Sequence, residues 1–305
     1  MRDFFNPDNK FFAFMGKVFD IVMLNFFWLI AFAPMLGFMY LAGTTSGIFA
    51  IPMVLSVVVV VPANIALYYS IVKAIRHQRG YASKEFFRAF KMNFRQGAVA
   101  SFVFVILAIL LFADFSYLVS KIMPQGTDVS IIEFIVQRGV ELYGGEEAGP
   151  SFLEALIYGY INSIIDVLAT GDTMTTIWAG GYIAISIFAM GTFIFFSPVL
   201  SRFDMKLFNA FKFSFGASIK HLWVTLLSIL LWGFLFILIL ISNGLFVLFG
   251  IATCMLIESF MMEKVLKKYV LQVLEEKKAS GEIQPSDGTD TEGHEDESRD
   301  EWYVE

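Results

Sequence analysis

Cysteine and histidine are nearly absent. The chain has one cysteine, Cys254, and three histidines, His77, His221 and His294. One cysteine excludes a disulfide framework, and Cys254 lies in an apolar run, where a small packing residue is expected. No H-E-x-x-H, G-x-S-x-G, G-x-x-x-x-G-K-[ST] or C-x-x-C occurs, so the common metalloprotease, hydrolase, nucleotide and thiol-redox signatures are missing. Charge is also scarce. Only 16% of residues are Asp, Glu, Lys or Arg, against 57% hydrophobic. The mean hydropathy of +0.68 is too apolar for a soluble domain of this size. The short alternating segments of a membrane β-barrel do not occur either.

In their place stand six long apolar stretches: Val18 to Leu41, Ile48 to Val72, Ala98 to Val119, Thr175 to Leu200, Leu222 to Ile241 and Leu245 to Met262. A bilayer core takes about 20 apolar residues in a helix. The expected fold class is all-α: a polytopic membrane helix bundle with six transmembrane helices. The first stretch is too long for a signal peptide and has no small-residue cleavage site, so a retained helix is expected.

Orientation follows from the basic residues. The gap between stretches two and three holds Lys73, Arg76, Arg79, Lys84, Arg88, Lys91 and Arg95 against Glu85. The gap between four and five holds Arg202, Lys206, Lys212 and Lys220 against Asp204. Between three and four, Lys121 and Arg138 face eight acids. Basic residues stay cytoplasmic. Six spans with both termini in the cytoplasm satisfy every gap. The expected organisation is a cytoplasmic arm (1–17), membrane unit one (18–123), an extracytoplasmic helical segment (124–174), membrane unit two (175–270) and an acidic cytoplasmic tail (271–305). From residue 281 the tail is too polar to fold alone.

The two basic gaps resemble each other. FFRAFKMNF, from Phe86, and LFNAFKFSF, from Leu207, agree at Phe87/Phe208, Ala89/Ala210, Phe90/Phe211, Lys91/Lys212 and Phe94/Phe215. Each places Phe at i, i+3 and i+7, one stripe of a helix beside basic residues. Two amphipathic elbow helices on the cytoplasmic membrane surface are expected, with aromatics at the headgroup boundary and the bilayer as partner. The two units would run the same way through the membrane, as a parallel internal repeat. Candidate contacts for a partner or the membrane surface are Phe87, Phe90, Lys91, Phe94, Phe208, Phe211, Lys212 and Phe215.

Between spans three and four, residues 130–143 and 151–170 read as two further helices, punctuated by Gly144-Gly145 and Gly149-Pro150. A rival reading makes 151–170 a seventh span. Glu154 and Asp166 oppose it, and an extra span would put the second basic gap outside. Ionisable residues in the apolar stretches are Asp20, Asp114 and Glu258. Glu258 lies closest to a functional position, and Asn25 sits deep in span one, where a bond to a neighbouring helix is expected. Pro34, Pro62 and Pro198 should kink their helices and free carbonyls. No catalytic, metal or cofactor site and no nucleic-acid partner is expected.

A family resemblance rests on Asn6-Pro7-Asp8, Asn25 with Trp28 and Pro34, and Ala66-Leu67-Tyr68-Tyr69. It continues through the elbow residues Gly80-Tyr81, Phe86-Phe87, Phe90-Lys91 and Asn93-Phe94, then Pro198-Val199-Leu200 with Arg202-Phe203-Asp204. In these the chain resembles the YesL family, bacterial membrane proteins classed as a domain of unknown function. Its members are often encoded beside carbohydrate ABC importers. The resemblance implies a non-enzymatic accessory protein of the bacterial cytoplasmic membrane, associated with importer permease subunits in glycan uptake. The alternative is a transporter or channel acting on its own.

Overall fold

The computed structural model describes residues 10–44, 47–76, 81–123, 130–143, 152–170, 172–203, 205–242 and 245–279. Expectations for Asn6-Pro7-Asp8, His77, Gly80, Asp204 and the tail from 280 fall outside those residues. Within them the chain is helical, without strands.

Span one is α1 (Lys10–Thr44). Span two is assembled from pieces: a 3-10 turn at Gly47–Phe49, α2 (Ala50–Ser56), a second 3-10 turn at Val57–Val59, α3 (Val60–Ser70) and a π-helical turn at Ile71–Arg76. Then come α4 (Ala82–Ser120), α5 (Ile131–Tyr143), α6 (Phe152–Thr170), α7 (Thr173–Arg202), α8 (Leu207–Lys220) and α9 (Leu222–Ile241). A 3-10 turn at Leu245–Leu248 leads into α10 (Gly250–Ala279).

Pro62 explains one break in span two. It falls in the first turn of α3, where the missing N–H is tolerated, but it leaves the carbonyl of Val58 without its helical donor. Ser101 of α4 meets both loose ends. Its hydroxyl accepts from Val61 N–H at 3.1 Å, and its proton lies between Gly97 O at 3.0 Å and Val58 O at 3.4 Å. Gly97 permits this approach, since a Cβ there would come within 2.8 Å of the Pro62 ring.

Among the described residues, five helical segments are long and apolar enough to cross a membrane: Phe14–Phe38, Ile51–Arg76, Ala82–Ser120, Thr173–Arg202 and Leu222–Ile239. The chain is thus built as a membrane protein. The sixth apolar stretch does not stand among these five. It supplies a 3-10 turn and the first part of α10, which continues through Glu263, Lys264, Lys267 and Lys268 as one helix. The two elbows differ from each other. The second is a helix of its own, α8, set off from α9 by the turn at His221. The first runs straight into span three within the 39 residues of α4.

The chain divides into two compact units, 1–103 with 191–305, and 104–190. In the first, Leu24, Tyr68, Ile71, Phe86, Phe195 and Met262 belong to one buried core. In the second, α5 and α6 pack as a hairpin. Gly139 and Gly159 let the backbones touch: a Cβ on either would stand 1.7 Å from a carbonyl oxygen, of Ala155 and Ile135 respectively. Phe115, Leu118, Ile135, Val167, Ala179 and Tyr182 close the core of this unit.

Candidate functional site

The first unit buries an unusual number of ionisable groups. Lys73, Glu85, Glu258 and Glu263 are each under 9% exposed. Burying a charge is costly unless it is paired and hydrogen-bonded. Three of the four are ion-paired, Lys73 with Glu85 and Glu263 with Arg202, and Glu258 accepts a hydrogen bond from Trp232.

The π-helical turn widens the end of span two, and such turns recur at functional sites. It carries Lys73 and Arg76. Lys73 Nζ lies 3.3 Å from Glu85 Oε2, on the first turn of α4, and donates to the Tyr69 hydroxyl at 3.2 Å. Arg76 donates to the carbonyl of Ser259 in α10 at 2.8 Å, and its guanidinium stacks 4.5 Å from the Phe260 ring centre. Arg202, the last residue of α7, forks onto Glu263 of α10 through Nε and Nη2, with the Nε bond at 3.0 Å. Tyr68 of α3 donates to the same carboxylate at 3.2 Å. Tyr69, Val72, Lys73, Ser201 and Arg202 line a narrow crevice beside this network.

Two polar residues named from the sequence lie at other joints. Asn25 is fully buried. It donates to Val247 O at 2.8 Å and accepts from Ala252 N–H at 2.9 Å. Ala252 lies in the first turn of α10, whose N–H groups have no partner within the helix. Asn25 therefore caps α10 from another helix, and its amide is committed to backbone. Glu258, 2% exposed, accepts from Trp232 Nε1–H of α9 at 2.8 Å. Trp28 of α1 makes a similar bond to Asn64 of α3 at 2.7 Å.

The elbow residues divide by face. Phe87 and Phe208 are 56% and 76% exposed, and Phe94 and Phe215 are exposed with them. Lys91 and Lys212 are exposed as well. Phe90 and Phe211 are half-buried, and Phe211 packs on Phe196 with ring centres 4.6 Å apart. Ala89 and Ala210 are both fully buried. Matching positions in the two elbows thus have matching burial. The structure does not gather the eight elbow residues into one cluster; Phe90 and Phe211 serve as inward anchors.

The ion-paired residues were the ones that sequence patterns hid. Lys73, Glu85 and Arg202 read there as loop charges, and Glu263 drew no notice. The available signal was weak: two glutamates five residues apart in a stretch with an apolar flank. Among the described residues no group of three or more His, Cys, Asp or Glu could hold a metal ion.

No curated protein and no solved structure matches the chain. A family model does match, over residues 21–115, and it is described as a protein of unknown function, DUF624. That stretch holds most of span one, the pieced span two, the first elbow and most of span three, and over it the chain is similar to DUF624 proteins, which is consistent with the YesL-like resemblance.

Proposed function

We propose that the protein is a non-enzymatic accessory component of the bacterial cytoplasmic membrane, associated with permease subunits of a carbohydrate ABC importer in glycan uptake. It spans the membrane six times, with both termini cytoplasmic, on a parallel repeat. The family resemblance motivates the importer. The observation that carries an interaction role is the division of labour between interior and surface. Lys73, Glu85, Arg202 and Glu263 are engaged in ion pairs between helical elements and Glu258 is bonded to Trp232, whereas both elbows leave Phe, Phe and Lys exposed at matching positions. The sixth span would be the apolar run from Leu245 to Met262, held by Asn25 and Trp232.

Pull-down of the tagged protein, with growth of a deletion strain on oligosaccharides, tests the role. Phe87→Ala with Phe208→Ala should weaken permease capture more than it lowers protein level, because both rings are largely exposed, Phe87 resting one face on Phe27 at 5.0 Å between ring centres. Burying an aromatic is worth about 1.5–3 kcal/mol, so losing two should weaken capture by about a hundredfold or more. Capture of no permease by the wild-type protein would refute the reading. For topology, in a Cys254→Ala background, cysteines at Ser130 and Thr173 should label from outside, and those at Lys206 and Lys267 should not. Outside labelling at Lys267 alone would leave five spans.

A second reading, transport by the protein alone, draws on Glu258, a buried carboxylate in an apolar stretch. Uptake by the purified protein in liposomes, lost in Glu258→Gln, would favour it.

A further inference from the structure

Helix α6 is apolar on two sides. Ala155, Gly159, Ser163 and Val167 face inward and are buried. Tyr158, Ile161, Ile165 and Leu168 form a second stripe at i, i+3, i+7 and i+10, between 41% and 53% exposed. Asn162 falls on the narrow strip between the two and is partly exposed. A helix in water would not keep four large apolar residues on its solvent face.

The neighbours of α6 fix its depth. Tyr160, Ile164 and Val167 pack with Phe115 and Leu118 of span three and with Ala179 and Tyr182 of span four. The Tyr160 ring centre is 4.3 Å from that of Phe115, and the Tyr160 and Tyr182 hydroxyls share a 2.6 Å hydrogen bond. At about 1.5 Å per residue, Tyr182 lies about 13 Å along α7 from Thr173, and Phe115 about 7 Å from the end of α4. One leaflet of hydrocarbon is about 15 Å deep, half of the core. An aromatic pair marks the headgroup level nearby. Tyr117 and Trp178 are exposed with ring centres 6.2 Å apart, and Lys121 lies over Tyr117 at 4.8 Å. Such rings and lysines sit at the membrane boundary. Phe115 and Tyr182 lie two and four residues to the interior side of that pair. Lastly, α6 leads into span four through residues 171 and 172 alone, beside the exposed apolar Met174 and Ile177.

We infer that α6 is seated in the leaflet holding the end of span three and the start of span four, with its Tyr158, Ile161, Ile165 and Leu168 stripe against lipid acyl chains. An interfacial helix sinks about 5–10 Å past the headgroups, a range that includes the depth of Phe115. The α5–α6 hairpin is then a membrane-inserted element, neither a soluble cap nor a seventh span. This holds whichever partner the elbows engage.

Nitroxide labels on Ile165→Cys and on Asn162→Cys test the inference, in the full chain with Cys254→Ala, in vesicles of phosphatidylethanolamine and phosphatidylglycerol. Power saturation reads collisions with oxygen, which concentrates in lipid, and with a water-soluble nickel complex. The label at Ile165 should favour oxygen several-fold over the nickel complex, with a clear shift toward nickel at Asn162. Equal nickel access at both sites would place the stripe in water and overturn the inference. Protection of Ile165 from both reagents would assign the stripe to a protein partner or second copy and overturn it equally. Leu168→Cys repeats the measurement one turn on, should the Ile165 variant fail to fold.

Discussion

Arg202 and Glu263 form a two-pronged ion pair between the end of α7 and the middle of α10, and Tyr68 completes it from span two. The pair brings residues 61 positions apart together. A buried ion pair adds little net stability against a well-packed apolar replacement, yet removing one partner strands the other. Arg202→Met or Glu263→Met should each lower stability by about 3–5 kcal/mol. The double variant should recover a large part of that loss. Thermal unfolding in detergent checks both, and equal, additive losses would show that the residues do not act as a pair.

Asn25 joins the loop before α10 to its first turn. Asn25→Leu leaves the Val247 carbonyl and the Ala252 amide buried without their partner. Each unmet buried group costs about 1–3 kcal/mol, so a loss of about 2–6 kcal/mol is expected. Faster amide exchange at 247–255 should accompany it. A loss of stability without that local signature would assign Asn25 to side-chain packing.

Two glycines of the α5–α6 hairpin tolerate no side chain. Gly139→Ala or Gly159→Ala forces the helices apart, at a cost of about 1–3 kcal/mol or more for overpacking. Gly180→Ala and Gly181→Ala are the controls. Their added methyls meet nothing within 4 Å. In a helix Ala is favoured over Gly by about 0.5–1 kcal/mol, so these variants should be neutral or stabilising.

Acid should act at two places. Burial, then Lys220 and Lys268, holds the His221 imidazole below its ordinary 6.5. A depressed histidine contributes stability that is fully present above pH 6.5 and is lost as pH falls through the folded value. His221→Gln should remove that part of the pH dependence measured between pH 8 and pH 5. Lower down, the Ser130 amide and hydroxyl donate to Glu133, holding its carboxyl below 4.5. This capping box starts α5, and its contribution is present above pH 4.5 and fades below it. Glu133→Gln should flatten the acid limb of α5 helicity, and an unchanged profile would dismiss the box.

Apolar run length made five long membrane-crossing candidates legible in the sequence, because a helix needs about 20 apolar residues to cross a bilayer. Elbow similarity was legible for the same kind of reason: Phe87, Phe90 and Phe94 repeat at helical spacing. The division of span two was only half legible. Pro62 announced a break, but the group that repairs it, Ser101, sits on another helix 40 residues away. The charge network was hidden for that reason too. Lys73 and Arg202 are ordinary boundary cations until the fold sets Glu85 and Glu263 beside them. Helix continuity misled at the first elbow, where nothing marks a boundary and α4 has none.

Glu85 was the lone acid in the first basic gap, and the fold turns it inward to Lys73. The outward face of the elbow therefore has no acid of its own to dilute its field. Lys84, Arg88, Lys91 and Arg95 recur at intervals of four, three and four residues along α4, all exposed, so the face presents a single line of positive potential. Such a line is felt over about 10 Å at 0.1 M salt and about 3 Å at 1 M. Whatever this surface meets, the encounter should weaken steeply as ionic strength rises, and a salt titration separates that long-range attraction from the short-range grip of Phe87 and Phe94.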